Sequence, residues 1–364
     1  MKEPRRLRRS LSPGRYWASY KTDNNRYQED ILRLPRFKYL EPETLEKALD
    51  LLNTHGEACH ILGGGTDLLV RMKQRLCQPA YLLSLKSLDE LDGITRQNGG
   101  LTIGARTSLA AVAASSDVKK HLPALSRAME AVGAPSIQHH RGTIGGNLCQ
   151  DTRCLFYNQS AAWRLGKPPC HKAGGQTCYA RADSDRCHAT FQSDGATALL
   201  ALDSEITIAG IQGERRIPLV DLYSTVGDHP LTLEPGEILT YIHVPISGPG
   251  ASNAYKRLAY RSAIDYPIVS VGVSIQTDAA IVKAARIAVG SMSRAPLLLN
   301  QVARLLEGNS ITDAAVMAEI ARQCSDLAST FAVDNVGASV DYRSQMVSVL
   351  VRRALEEALT GIDA

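Results

Sequence analysis

The sequence predicts an α+β protein in two parts, and three observations carry the prediction. Short apolar strands alternate with amphipathic helices along most of the chain, a Gly-, Pro- and Ser-rich linker at 245–252 divides two such stretches, and an irregular cysteine-bearing segment interrupts the first of them. The chain has 364 residues, of which 44% are apolar, enough for two or three cores. Its net charge of +4 is mild and unclustered, which excludes a nucleic-acid binder. No run of apolar residues is long enough to span a membrane.

The first ten residues carry Lys2, Arg5, Arg6, Arg8 and Arg9 against Glu3. No apolar stretch follows, since Arg15–Asp30 is polar, so an export signal is not expected and 1–30 reads as a disordered basic extension. A cytoplasmic protein is the expectation.

Structure is expected from Ile31. Phe37–Tyr39 reads as a short strand, and Thr44–His55 as a helix with Leu45, Ala48, Leu49 and Leu52 on one face, closed by Gly56. Cys59–Leu62 is a strand, and Leu68–Met72 is expected to continue that element. Tyr81–Leu85 and Leu101–Ile103 are further strands, Gly104 ending the second. Leu109–Ser115 and Leu122–Val132 read as helices, Gly142–Asn147 as a glycine-rich turn, Ala196–Leu202 as a helix, and Glu237–Val244 as a strand. Beyond the linker, Ser270–Thr277 and Ala284–Val289 alternate as strands joined by a hairpin at Asp278–Lys283. Pro296–Glu307, Thr312–Ser325 and Ser344–Leu359 then read as amphipathic helices. The domain boundaries expected are 31–228 and 250–361, with the irregular loop at 151–193.

Two glycine clusters carry chemistry: Leu62-Gly63-Gly64-Gly65-Thr66-Asp67-Leu68 and Gly142-Thr143-Ile144-Gly145-Gly146-Asn147. Consecutive glycines let backbone N–H groups approach a diphosphate, and Thr66, Asp67, Thr143 and Asn147 add hydrogen-bonding groups. Either cluster alone is equally well a structural tight turn. Neither matches the Gly-x-Gly-x-x-Gly fingerprint or the P-loop, which disfavours a nicotinamide Rossmann domain and an NTPase.

Together the clusters resemble the flavin subunit of the xanthine dehydrogenase and carbon monoxide dehydrogenase family, from about Leu34 to the C-terminus. The resemblance implies the two-part FAD-binding domain of molybdopterin dehydrogenases followed by a C-terminal α+β domain with a sheet packed on helices. It implies that Leu62–Leu68 and Thr143, Gly145, Gly146 and Asn147 wrap the FAD pyrophosphate. Ser193-Asp194 matches the family's ribityl- or ribose-side contact, which assigns Asp194 to the cofactor. Lys256, in the stretch running to Arg261 and Asp265, matches a lysine near the flavin. Ile287–Pro296 resembles the turn opening the family's C-terminal domain. His139-His140 departs from the Arg-Asn that precedes the second glycine turn in many members. The resemblance assigns no residue of this chain to chemistry on the organic substrate; a large molybdopterin subunit and a small 2Fe–2S subunit are implied partners, in a heterohexamer formed as a dimer of trimers.

Five of the eight cysteines fall in 149–187, in a connection that is short in relatives. Cys154, Cys170, Cys178 and Cys187 are spaced C-x15-C-x7-C-x8-C, without the C-x2-C pairs of zinc knuckles. Widely separated thiolates suit a 4Fe–4S cluster, which takes one cysteine per iron. Six basic residues (Arg153, Arg164, Lys167, Lys172, Arg181, Arg186) against Asp151, Asp183 and Asp185 would offset the cluster's negative charge. Free structural cysteines or a zinc site, with His171 beside Cys170, remain open. Cys59, Cys77 and Cys324 read as core residues, and His55, His60 and His121 as surface or internally satisfied histidines. The insertion resembles the 4-hydroxybenzoyl-CoA reductase branch of the family, which implies a metal site on those four cysteines, with Cys149 outside it. It also implies a ferredoxin-type donor whose electrons pass through 4Fe–4S, FAD and 2Fe–2S to molybdenum. The alternatives are the flavin subunit of another hydroxylase of the family, a standalone flavoprotein oxidase, or a zinc-stabilised scaffold without redox activity.

Overall fold

The computed structural model describes residues 33–361; the basic extension expected at 1–30 lies outside the described residues. Chain order begins with β1 (Lys38–Leu40), α1 (Leu45–His55), β2 (Cys59–Leu62), α2 (Leu68–Lys73) and β3 (Tyr81–Ser84). These strands form a parallel sheet of order β1-β3-β2. Helix α1 starts at Thr44, whose hydroxyl accepts the Lys47 amide at 3.3 Å, and ends at Gly56 with φ of 50°. Its Ala48 and Leu52 pack with Leu83, Leu85, Leu88 and Leu91 in a small core.

Leu68–Lys73 is helical and does not extend β2. The chain turns at Gly65, φ 76°, and the amides of Leu69 and Arg71 bond to the carbonyls of Gly65 and Asp67.

A second, antiparallel sheet follows in the order β4-β5-β8-β6-β7. Its strands are β4 (Ile94–Gln97), β5 (Gly100–Gly104), β6 (Glu205–Gly210), β7 (Gly213–Pro218) and β8 (Ile238–Pro245). Between β5 and β6 come α3 (Leu109–Ala114), α4 (Ser116–His121), α5 (Pro123–Ala131), α6 (Gln138–Arg141), α7 (Ile144–Leu148), α8 (Ala161–Leu165) and α9 (Asp194–Ala201). The expected turn at Gly142–Asn147 thus closes into one helical turn, capped by Thr143.

The C-terminal part is an antiparallel sheet of order β12-β11-β10-β9. Its strands are β9 (Ala251–Leu258), β10 (Val269–Asp278), β11 (Ile281–Gly290) and β12 (Leu297–Leu298); α10 (Asn300–Ala303), α11 (Ala314–Ser329) and α12 (Val340–Thr360) follow. The helix expected over Pro296–Glu307 is therefore broken into β12, α10 and a 3₁₀ turn, and the end of the expected linker, from Ala251, is strand. Helix α9 joins the halves: all eight of its residues are buried. Gly272 and Gly290 let the sheet approach it, for a Cβ at Gly290 would stand 2.2 Å from Thr197 Oγ1. Helices α11 and α12 bury Ile320, Cys324, Val347 and Val351 in the C-terminal core. No described helix is long and apolar enough to cross a membrane.

Candidate functional site

A cleft with about 2830 Å³ of empty space, its open mouth included, runs between the parallel and antiparallel sheets. Gly63, Gly64, Gly65, Thr66, Asp67, Leu68, Thr143, Gly145, Gly146, Asn147 and Asp194 all line it. The fold therefore brings together two glycine clusters and a helix start that lie far apart in the chain.

The glycines are required by the chain itself as well as by space for a ligand. A Cβ on Gly64 would lie 1.7 Å from the Arg141 carbonyl oxygen, and one on Gly145 would lie 2.7 Å from Ala105 Cβ. The two loops pack backbone to backbone, and side chains would force them apart. Asn147 works in the same way: its Oδ1 accepts from Ser193 Oγ at 2.7 Å and from the Gly195 amide at 3.1 Å, tying the second glycine loop to α9. Asp194 is buried, receives the Tyr255 hydroxyl at 2.5 Å and lies 3.5 Å from Arg257 Nε. Burial raises its carboxyl above the usual aspartate range, against the lowering by Arg257 and Tyr255.

Two expected residues do not line the cleft. Leu62 packs its side chain beside Gly65. Lys256 pairs with Glu357 on α12. Alternation along β9 explains this: Tyr255 and Arg257 face Asp194, so Lys256 faces the opposite side. Lys256 therefore points away from the cleft. The structure adds residues the sequence did not single out, Arg71, Gln150, Gln192 and Tyr266, which line the cleft together with His60, expected as a surface or internally satisfied histidine. Burial, and then Arg71, lower the His60 pKa. The Gln150 Nε2 is buried and unpartnered at the cleft wall, a donor available to a bound group. His55, in contrast, stacks on Tyr81 with ring centroids 3.8 Å apart.

Beside the cleft lies a smaller cavity with about 290 Å³ of empty space. Cys154, Cys170, Cys178 and Cys187 all line it, with Phe156, Tyr157 and Tyr179. Cys149 lines the cleft instead, and burial pushes its thiol up to about 12. All eight cysteines are free thiols. Burial pushes Cys187 up to about 12 and raises Cys154, which a bond from the Phe156 amide opposes. Among the described residues no three His, Cys, Asp or Glu side chains are arranged to hold a metal ion. The four thiols face one shared cavity. His171 turns its Nε2 to the Ser184 carbonyl at 3.0 Å. As a donor set, four thiols with no carboxylate among the lining residues, an aromatic shell and a neighbouring Lys172 fit a polynuclear iron–sulfur group.

A ladder of alternating charges connects cavity and cleft. Lys172 Nζ lies 2.6 Å from Asp151, Asp151 lies 3.2 Å from Arg71 Nε, and Arg71 lies 3.9 Å from Asp67. Asp67 also pairs with Arg153, which donates to the Tyr266 hydroxyl at 2.7 Å and lies over its ring.

Fold and cleft together define a cofactor-binding protein of the flavoprotein class. Residues 35–247 match the family model of the FAD binding domain in molybdopterin dehydrogenase, and residues 253–358 match the CO dehydrogenase flavoprotein C-terminal domain. The chain belongs to this family of FAD-binding oxidoreductase subunits. It is 26% identical to the carbon monoxide dehydrogenase medium chain of Afipia carboxidovorans, over 88% of this chain and 96% of that one. It is 32% identical to the aldehyde oxidoreductase FAD-binding subunit PaoB of Escherichia coli, over 65% of this chain and 75% of that one. A solved carbon monoxide dehydrogenase from Hydrogenophaga pseudoflava superimposes with a TM-score of 0.74 at 23% identity, covering 90% of this chain and 99% of that one, and so shares its fold.

Proposed function

We propose that this chain is the FAD and 4Fe–4S electron-transfer subunit of a molybdenum-containing 4-hydroxybenzoyl-CoA reductase-type complex. The observation that carries the reading is the convergence of the four insertion cysteines on one cavity beside the flavin-type cleft. When bound, the flavin exchanges electrons in pairs or singly and the cluster exchanges them singly. The chain's own part is positional. The glycine loops and Asn147 shape the pyrophosphate end of the cleft, and Gln150 offers its unpartnered amide. Cys154, Cys170, Cys178 and Cys187 would hold the cluster, and Lys172 and the aromatic shell would set its surroundings. A large molybdopterin subunit and a small 2Fe–2S subunit would complete the complex, with a ferredoxin-type donor and reductive removal of the para-hydroxyl of an aromatic thioester. Eight free thiols suit a reducing, cytoplasmic setting.

A second reading is supported by the names of the relatives, which include carbon monoxide dehydrogenase and nicotine 6-hydroxylase medium subunits. In that reading the chain is the FAD subunit of another hydroxylase of the family and the cavity is inert or holds zinc. Anaerobic purification with assays of iron, sulfide, zinc and flavin separates the two. About four iron and four sulfide with one FAD per chain is the expected result. FAD without iron would return the chain to the second reading, and zinc without FAD would sink both.

A further inference from the structure

The segment 333–335, between α11 and α12, is fixed from below by a buried cation. Arg343 of α12 is fully buried, and its guanidinium donates to the Val333 carbonyl at 2.8 Å and the Ser291 carbonyl at 2.7 Å. Burial lowers its pKa to about 10, with Asp334 opposing. Burying a guanidinium carries a desolvation cost that its partners must offset, so the segment it holds is specified closely.

That segment presents Asn335, which is 1% exposed. Every bond it makes to the rest of the fold goes to the root of the cysteine insertion. Its carbonyl accepts the Leu155 amide at 2.9 Å, its Oδ1 accepts Thr190 Oγ1 at 2.8 Å, and its Nδ2 donates to the His188 carbonyl at 2.8 Å. Leu155 adjoins Cys154, and His188 adjoins Cys187. One residue of the C-terminal domain therefore grips the neighbours of the first and last cysteines of the set: its backbone carbonyl holds Leu155 and its side-chain amide holds His188.

We infer that Asn335 is a positioning residue of the four-cysteine site, a clamp that holds the chain beside Cys154 and Cys187. Its effect on iron retention rests on the cluster reading. The geometric clamp does not depend on it.

The test uses the whole complex with Asn335→Asp, Asn335→Leu and Asn335→Gln. Asn335→Asp replaces the N–H that bonds the His188 carbonyl with a carboxylate oxygen that repels it, so iron should be lost to a chelator at least several-fold faster while flavin content stays put. Asn335→Leu should release iron to a chelator at least several-fold faster, and Asn335→Gln should recover part of the loss. Amide hydrogen exchange supplies a second readout. In Asn335→Leu, protection at Leu155 and Thr190 should drop while α9 and α12 keep theirs. Unchanged exchange at Leu155 and Thr190, or unchanged iron release in Asn335→Asp, overturns the clamp. A wild-type complex without iron would refute the cluster reading, and the exchange result alone would then decide the clamp.

Discussion

The flavin-type cleft and the cysteine cavity are neighbours built on different principles. The cleft is made where regular elements meet: β2, α2, α7 and α9 deliver its walls, and the glycine loops touch backbone to backbone. The cavity is made of irregular chain, and side-chain bonds from elsewhere in the fold supply what a sheet or helix would otherwise provide. Arg164 donates to the Gln74 and Arg75 carbonyls at 3.2 and 3.1 Å, Lys172 reaches Asp151, and Asn335 grips the base. Backbone packing gives a site that tolerates little change. Side-chain tethering gives a site that can be loosened while the rest of the fold stands.

The sharpest way to strain that difference is Gly64→Ala. The new Cβ would meet the Arg141 carbonyl oxygen, so the expected cost is about 3 kcal/mol. Thermal unfolding should begin on the order of 5–10 °C lower, with flavin lost. A variant that keeps both its flavin and its melting temperature would show that the loops are not tightly apposed. Next, Cys154→Ser should lose nearly all iron and retain flavin close to the wild-type level. Equal loss of both would make the insertion part of the flavin fold and dissolve the contrast.

A smaller effect is expected at Asp194. Its carboxyl is raised by burial in the folded protein. Its contribution to stability is therefore fully present below the unfolded value near ~3.9 and is lost as pH rises through the folded value. Asp194→Asn should remove that component, so urea unfolding between pH 4 and 7 should show a less negative slope of stability against pH than wild type. Parallel slopes would rule it out. The smallest effect belongs to Lys256→Ala. Its pair with Glu357 is partly exposed, so stability should change by less than about 1 kcal/mol and flavin affinity not at all. A marked drop in flavin binding would restore Lys256 to the site.

The cleft was largely legible in sequence because glycine turns and apolar strands are local signals. What failed did so for physical reasons. Parity along β9 decides which way Lys256 points, and nothing near Lys256 announces its register with β10. Strands β4 and β7 were missed because ITRQ and GERRIP are exposed edge sequences without an apolar alternation. Leu68–Lys73 was misread because a short apolar run does not distinguish strand from helix, and Gly65 made the turn. The insertion's cysteines could be counted, but their shared cavity could not. Asn335 was invisible, since its partners lie 145 and 147 residues away.

One detail at the insertion's root has a wider consequence. Arg153 and Thr190 exchange both backbone hydrogen bonds, each 2.7 Å, so the chain leaves and re-enters the domain through a single antiparallel pair. The domain beneath meets the same two-residue doorway whatever length of chain lies beyond it, and closing a longer loop costs only logarithmically more. A loop mounted on such a doorway can change its length or its contents while the sheets beneath keep their register.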